Sequence, residues 1–141
     1  AYSNISNIIF EHDTSITTAT VVSSTVAEIP GTEITYAPPS DSKKIIYEVV
    51  LQTFFNPDSH NRGSYELFED GTPMGTYYRT VESTHYLKYQ NVTRIRFLIP
   101  AYTGSKTFKL RVRSYSNSYE FRLTNDGTTN FTPITHMYSI I

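Results

Sequence analysis

Thr107-Phe108-Lys109-Leu110-Arg111-Val112-Arg113 alternates apolar and polar side chains without a slip. In an extended chain successive side chains point to opposite faces. Phe108, Leu110 and Val112 therefore share one face, and Thr107, Lys109, Arg111 and Arg113 the other. Such a stretch reads as a strand with one buried and one wet side. The same period of two sets Tyr119, Phe121 and Leu123 against Glu120, Arg122 and Thr124, and Ile95, Phe97 and Ile99 against Arg94, Arg96 and Leu98. Ile45 to Phe55 is apolar at both parities apart from Glu48, Gln52 and Thr53. It reads as a central strand covered on both sides.

Weaker candidates fill the rest: Thr17 to Ile29, Ser64 to Glu69, Thr76 to Glu82, His85 to Tyr89, and Ile134 to Ile141. Turn residues separate them at Pro30-Gly31, Pro38-Pro39-Ser40-Asp41, Asn56-Pro57-Asp58, Asp70-Gly71-Thr72-Pro73, Thr103-Gly104-Ser105 and Asn125-Asp126-Gly127. Asp70-Gly71 and Asp126-Gly127 are the pairs a two-residue hairpin favours. About eight to ten short strands without crossover helices predict an all-β fold, an antiparallel jelly-roll β-sandwich.

Composition agrees. The 141 residues include 12 Tyr and 8 Phe but no Trp, and aromatic side chains suit a half-buried pleated surface. The formal net charge of −1 supplies no strong basic field, so neither nucleic acid nor membrane insertion is expected. No apolar run approaches the roughly 18 residues of a membrane span. With no Cys, disulfides and thiolate metal sites are excluded in this chain. The opening Ala1-Tyr2-Ser3-Asn4 lacks an initiator Met and a signal peptide. It reads as cut from something longer on its N-terminal side, whereas Ser139-Ile140-Ile141 reads as a native end. Residues 1–15 are expected to form a lead-in that docks or joins a stalk, and residues 16–141 a single head domain.

The residues hold no constellation that argues for an enzyme. None of the four His (His12, His60, His85 and His136) sits in a nucleophile elbow with a base and an orienting group. Glu66, Asp70, Glu48 and Glu120 read as solvated strand-edge charge, not as paired catalytic carboxylates. Asp58-Ser59-His60-Asn61 lacks the calcium-loop pattern, and neither a metal nor another cofactor is expected. The basic stripe of Lys109, Arg111 and Arg113, with Arg94, Arg96 and Arg122 alongside if their strands are neighbours, reads as a solvated sheet face, with an anion site as the alternative. Tyr77, Tyr78 and Arg79, together with Tyr86 and Tyr89, are the candidate ligand-binding residues. Exposed, these tyrosines would form a stacking platform for a sugar or a protein; buried, they would be core or interface.

Ser64-Tyr65-Glu66-Leu67-Phe68, the turn at Asp70-Gly71-Thr72, Arg94-Ile95-Arg96-Phe97-Leu98-Ile99-Pro100, and Gly104-Ser105-Lys106-Thr107-Phe108-Lys109-Leu110-Arg111-Val112 follow one another in a familiar order. Over residues 43 to 141 the chain resembles the jelly-roll head domains of the tumour-necrosis-factor and complement type, in the versions found at the tips of viral fibres and spikes. The resemblance implies a compact homotrimer whose last strand, here Ile134 to Ile141, runs through the middle of the inner sheet near the threefold axis. It places Phe108, Tyr119, Phe121, Met137 and Tyr138 in the inner sheet or at that axis. It also implies attachment to a host surface receptor or glycan, at a virion surface or in an extracellular setting. The other reading is a monomeric carbohydrate-binding module of a secreted protein, and a small hydrolase ranks last.

Overall fold

The computed structural model describes residues 5–13, 16, 20–23, 25–55, 60–85, 90–114, 121–123 and 132–141. Two antiparallel sheets face each other. The first contains β1 (Ile5–Glu11), β2 (Thr20–Val22), β5 (Lys44–Phe55), β9 (Gln90–Pro100), β11 (Phe121–Leu123) and β12 (Ile134–Ile140). The second contains β3 (Ala27–Glu28), β4 (Ile34–Tyr36), β6 (His60–Glu69), β7 (Thr72–Pro73), β8 (Arg79–His85) and β10 (Lys106–Ser114). We call them sheets A and B.

The pairing is nested. β1 pairs with β12, β4 with β10, β5 with β9, and β6 with β8. A chain that pairs first with last and then works inward is one long antiparallel ribbon wrapped around a core, which is the jelly roll. β12 lies inside sheet A, bonded to β1 on one edge and β5 on the other. Ile5–Glu11, within the segment expected as a lead-in, pairs with β12 as the edge strand β1. A bulge at Ser6/Ile9 interrupts that strand, where Asn7 takes φ 57° and its amide donates to the Ala37 carbonyl at 3.3 Å.

β5 is central, as its apolar run predicts. β9 follows one edge, while β12 and β11 share the other. Its inward residues Ile45, Tyr47, Val49 and Leu51 meet Ile95, Phe97 and Ile99 of the same sheet and Phe108, Leu110, Tyr65 and Leu67 of sheet B in one buried core. Fully burying a side chain of this kind contributes on the order of 1.5–3 kcal/mol. The outward residues Ile46, Glu48 and Phe54 are also buried. Among the described residues no third layer covers them; neighbouring side chains on the same sheet face do.

Two tyrosine hydroxyls inside the core are matched. Tyr36 Oη and Ser139 Oγ share a 2.7 Å hydrogen bond, and Tyr47 Oη donates to the Thr32 carbonyl at 2.7 Å. Burial raises the Tyr47 phenol well above its ordinary pKa, so it remains a neutral donor. The Asp70-Gly71 hairpin forms as the sequence predicts, with φ 47° and 83° at its two loop residues and β6 paired to β7 on either side. Asp126-Gly127 lies outside the described residues.

Three expectations change. Thr17 to Ile29 is not one strand: it gives β2 to sheet A and β3 to sheet B. Thr76 to Tyr78 is a 3-10 turn and the strand starts only at Arg79, because the extended run breaks at Gly75 (φ 109°) and Tyr78 N–H closes onto the Gly75 carbonyl at 3.1 Å. The basic residues also divide between sheets. Arg94, Arg96 and Arg122 stand on sheet A, and Lys109, Arg111 and Arg113 on sheet B, so they do not form one positive face.

Candidate functional site

The turn after Gly75 scatters the consecutive candidates Tyr77, Tyr78 and Arg79. In a 3-10 turn successive side chains diverge by about 120°. Tyr77 stands in solvent, 93% exposed. Tyr78 folds back against the core with its ring 6.2 Å from that of Phe97. Arg79, the first residue of β8, turns to the outer face of sheet B and grips Glu66, with Nε to Oε2 at 2.7 Å and Nη2 to Oε1 at 3.4 Å. The three therefore form no common platform. Tyr86 and Tyr89 lie outside the described residues.

The residues assigned by resemblance to the inner sheet or trimer axis also part ways. Phe108 and Met137 have no exposed surface in the single chain, where their side chains fill its own core. The physical reason is parity: both stand on the inward side of their strands. Tyr138 is one residue on from Met137 and faces outward from sheet A, opposite Ile46. Phe121 pairs through its backbone with Phe55 and Val22, and Tyr119 lies outside the described residues.

Around Tyr138 the outer face of sheet A holds a cluster that sequence reading missed. Register aligns Phe10, His136, Glu48 and Arg96 across β1, β12, β5 and β9. Glu48, read from the sequence as solvated edge charge, is 4% exposed. Its carboxylate accepts from Arg96 Nε at 2.6 Å, with Arg94 Nε at 3.7 Å and His136 Nε2 at 3.3 Å. The contact holds the Arg96 guanidinium still more firmly in its charged form, through the hydrogen bond first and the opposite charge second. The His136 ring stacks on Tyr138 at 5.7 Å and meets Phe10 at 5.3 Å. One signal was available: Glu48 is the single charge in the run from Ile45 to Phe55, and a lone charge in a strand buried on both faces needs partners.

Apolar side chains surround this cluster. Of the nine large hydrophobic residues exposed among those described, Ile5, Phe10, Val92, Leu98 and Ile134 stand on this one face, each between 42% and 62% exposed. Scattered exposed hydrophobes are ordinary; here five of them share one sheet face.

No family model matches the chain, and neither does any curated protein sequence. Among solved structures it is similar to the EclA C-terminal domain, described as a sugar-binding protein, at 16% identity over 86% of this chain and 78% of that one, with a TM-score of 0.42. It is also similar to TmCBM61 in complex with beta-1,4-galactotriose, at 11% identity over 91% and 88% of the two chains and a TM-score of 0.36. A chain of black queen cell virus overlaps 99% of this one and 68% of its own length at 16% identity and a TM-score of 0.25. The jelly-roll assignment rests on the strand pairing of this chain itself.

Proposed function

We propose that the chain is a non-enzymatic binding and assembly head, associating with further copies of itself through the outer face of sheet A. The reading extends to a trimeric head of a fibre, spike or other surface protein that attaches to a receptor or glycan at a virion surface or outside a cell. The observation that carries it is the gathering of Ile5, Phe10, Val92, Leu98 and Ile134 on one face, beside Tyr138 on a last strand held inside its sheet. The place of β12 between β1 and β5 supports it, since the resemblance implies a last strand inside its sheet. Burying such a face between copies removes apolar area from water at about 25 cal/mol per Å², against the cost of association.

Sedimentation of the purified chain tests the reading. A species of three chain masses is expected, and Leu98→Asp or Ile134→Asp should release folded monomers, since both side chains are exposed in the single chain. A wild-type monomer at high micromolar concentration overturns it. The exposed Tyr77 ring favours a second reading, a monomeric carbohydrate-binding module. That reading requires a monomer whose saccharide binding is lost in Tyr77→Ala with the fold intact.

A further inference from the structure

The outer face of sheet B is laid out in rows across its strands. Register aligns Glu28, Arg111, Glu66 and Arg79, an alternation of charge over four strands. On one side of this row Arg113 stands opposite Ser64, and Ser64 opposite Val81. On the other, Lys109 stands opposite Phe68, and Phe68 opposite Pro73. Because Ser64 is small and lies among long side chains, the surface sinks there. The result is a groove of about 300 Å³ whose lining includes Val26, Ser64, Glu66, Arg79, Arg111 and Arg113.

The charges of this face do not cancel. Glu66 is taken by Arg79. Glu28 is divided between Lys109 at 3.1 Å and Arg111 at 3.2 Å, and Glu33 also turns to Lys109. Arg113 meets no acid among the described residues and is exposed. Arg111 sits over Phe68, its guanidinium carbon 4.0 Å from the ring centre, and its enclosed Nε has no acceptor among the described residues. Arg113 thus faces the groove with no acid partner among the described residues, and Arg111 is held by its place over Phe68 and one hydrogen bond to Glu28. Both offer planar forks suited to an oxyanion. The half-exposed Val26 supplies apolar contact beside them, and Phe68 and Pro73 continue the lining.

We propose that this groove binds a carboxylated or sulfated monosaccharide unit. Arg113 pairs with the anionic group, Ser64 hydrogen-bonds to a ring hydroxyl, and Val26 contacts the C–H face of the ring. The volume is at the low end for small-molecule sites and suits one ring. One surplus cation among the described residues of this face, on a chain of net charge −1, does not suit a polyanion such as nucleic acid. The inference names a ligand chemistry for the binding reading and holds whether or not copies associate.

Amide chemical shifts of the full chain, titrated separately with glucuronate, glucose 6-sulfate, glucose and sodium sulfate, test it. Glucuronate, glucose 6-sulfate or both should shift Ser64, Val81 and Arg113 and bind at least tenfold tighter than glucose; which of them binds identifies the anion. Arg113→Gln, an exposed change that leaves the fold intact, should weaken that binding at least tenfold. The proposal is overturned if neither anionic sugar shifts these amides, if glucose binds equally, if Arg113→Gln binds as the wild type does, or if sodium sulfate binds as tightly as the sugars, which would mean an adventitious ion only. Leu98→Asp, altered on the opposite sheet, should give the wild-type shifts, which separates failure of this site from failure of the assembly reading.

Discussion

Glu48 and Arg96 stand opposite each other on β5 and β9, and the carboxylate of the buried partner accepts a 2.6 Å hydrogen bond from the guanidinium of the exposed one. The pair is asymmetric in its access to water. Arg96 regains a hydration shell if the contact breaks, and Glu48, enclosed by its neighbours, does not.

That asymmetry orders two substitutions. Arg96→Ala leaves a buried carboxylate with fewer partners, whereas Glu48→Gln leaves two arginines that water can solvate. Arg96→Ala should therefore lower the urea midpoint more than Glu48→Gln does. The reverse order would mean that Glu48 is better hydrated than its surroundings imply.

Phe108 and Met137 separate core from contact surface. Phe108→Ala should cost about 3–5 kcal/mol and Met137→Ala about 2–5 kcal/mol, because each leaves a cavity that the packed interior fills only in part. Denaturant unfolding at several chain concentrations checks this. A loss that grows on dilution would place the side chain between subunits.

The Tyr36–Ser139 hydrogen bond joins strands of opposite sheets through two fully buried side chains. Tyr36→Phe should cost about 1–3 kcal/mol, since it leaves the Ser139 hydroxyl enclosed without its partner. Adding Ser139→Ala should recover part of that loss. Thermal unfolding of the two single variants and the double variant measures the coupling, and strict additivity would contradict it.

Glu28 ties β3 to β10. The hydrogen bond from Lys109 first, then its charge, with Arg111 adding to both effects, holds the Glu28 carboxyl below its ordinary pKa. A folded pKa below the unfolded one gives stability that is present above the unfolded value and lost as pH falls through the folded value. Acidification through the carboxylate range should thus loosen β3 on β10, by little, because Glu28 is exposed and solvent screens the contact. Lys109→Met should bring the Glu28 pKa, followed by carboxyl NMR, up toward the ordinary value. No change would leave the ion pair without a role.

Much of the fold is legible because its signal is local. The alternation at Thr107 to Arg113 and at Ile95 to Ile99 names the buried faces residue by residue, and Asp70-Gly71 names its turn. The candidate surfaces are less legible because they are assembled across strands. Tyr77, Tyr78 and Arg79 are adjacent in sequence, yet a 3-10 turn sends them to solvent, to the core edge and to sheet B. Glu48, Arg96 and His136 are far apart in sequence and meet only through register.

From the sequence alone came the period of two, the turns and the choice of which side chain in each strand is inward, because these depend on neighbours along one chain. Tertiary structure alone decided which strands pair, and with that where charges meet and which apolar side chains remain uncovered. The alternation that hides Phe108 and Met137 also brings Leu98 and Ile134 to the surface, but only the register of β5 with β9 and β12 gathers them on one face around a buried carboxylate. If Leu98→Asp and Ile134→Asp left the solution mass of an assembled wild type unchanged, that face would lose the role assigned to it.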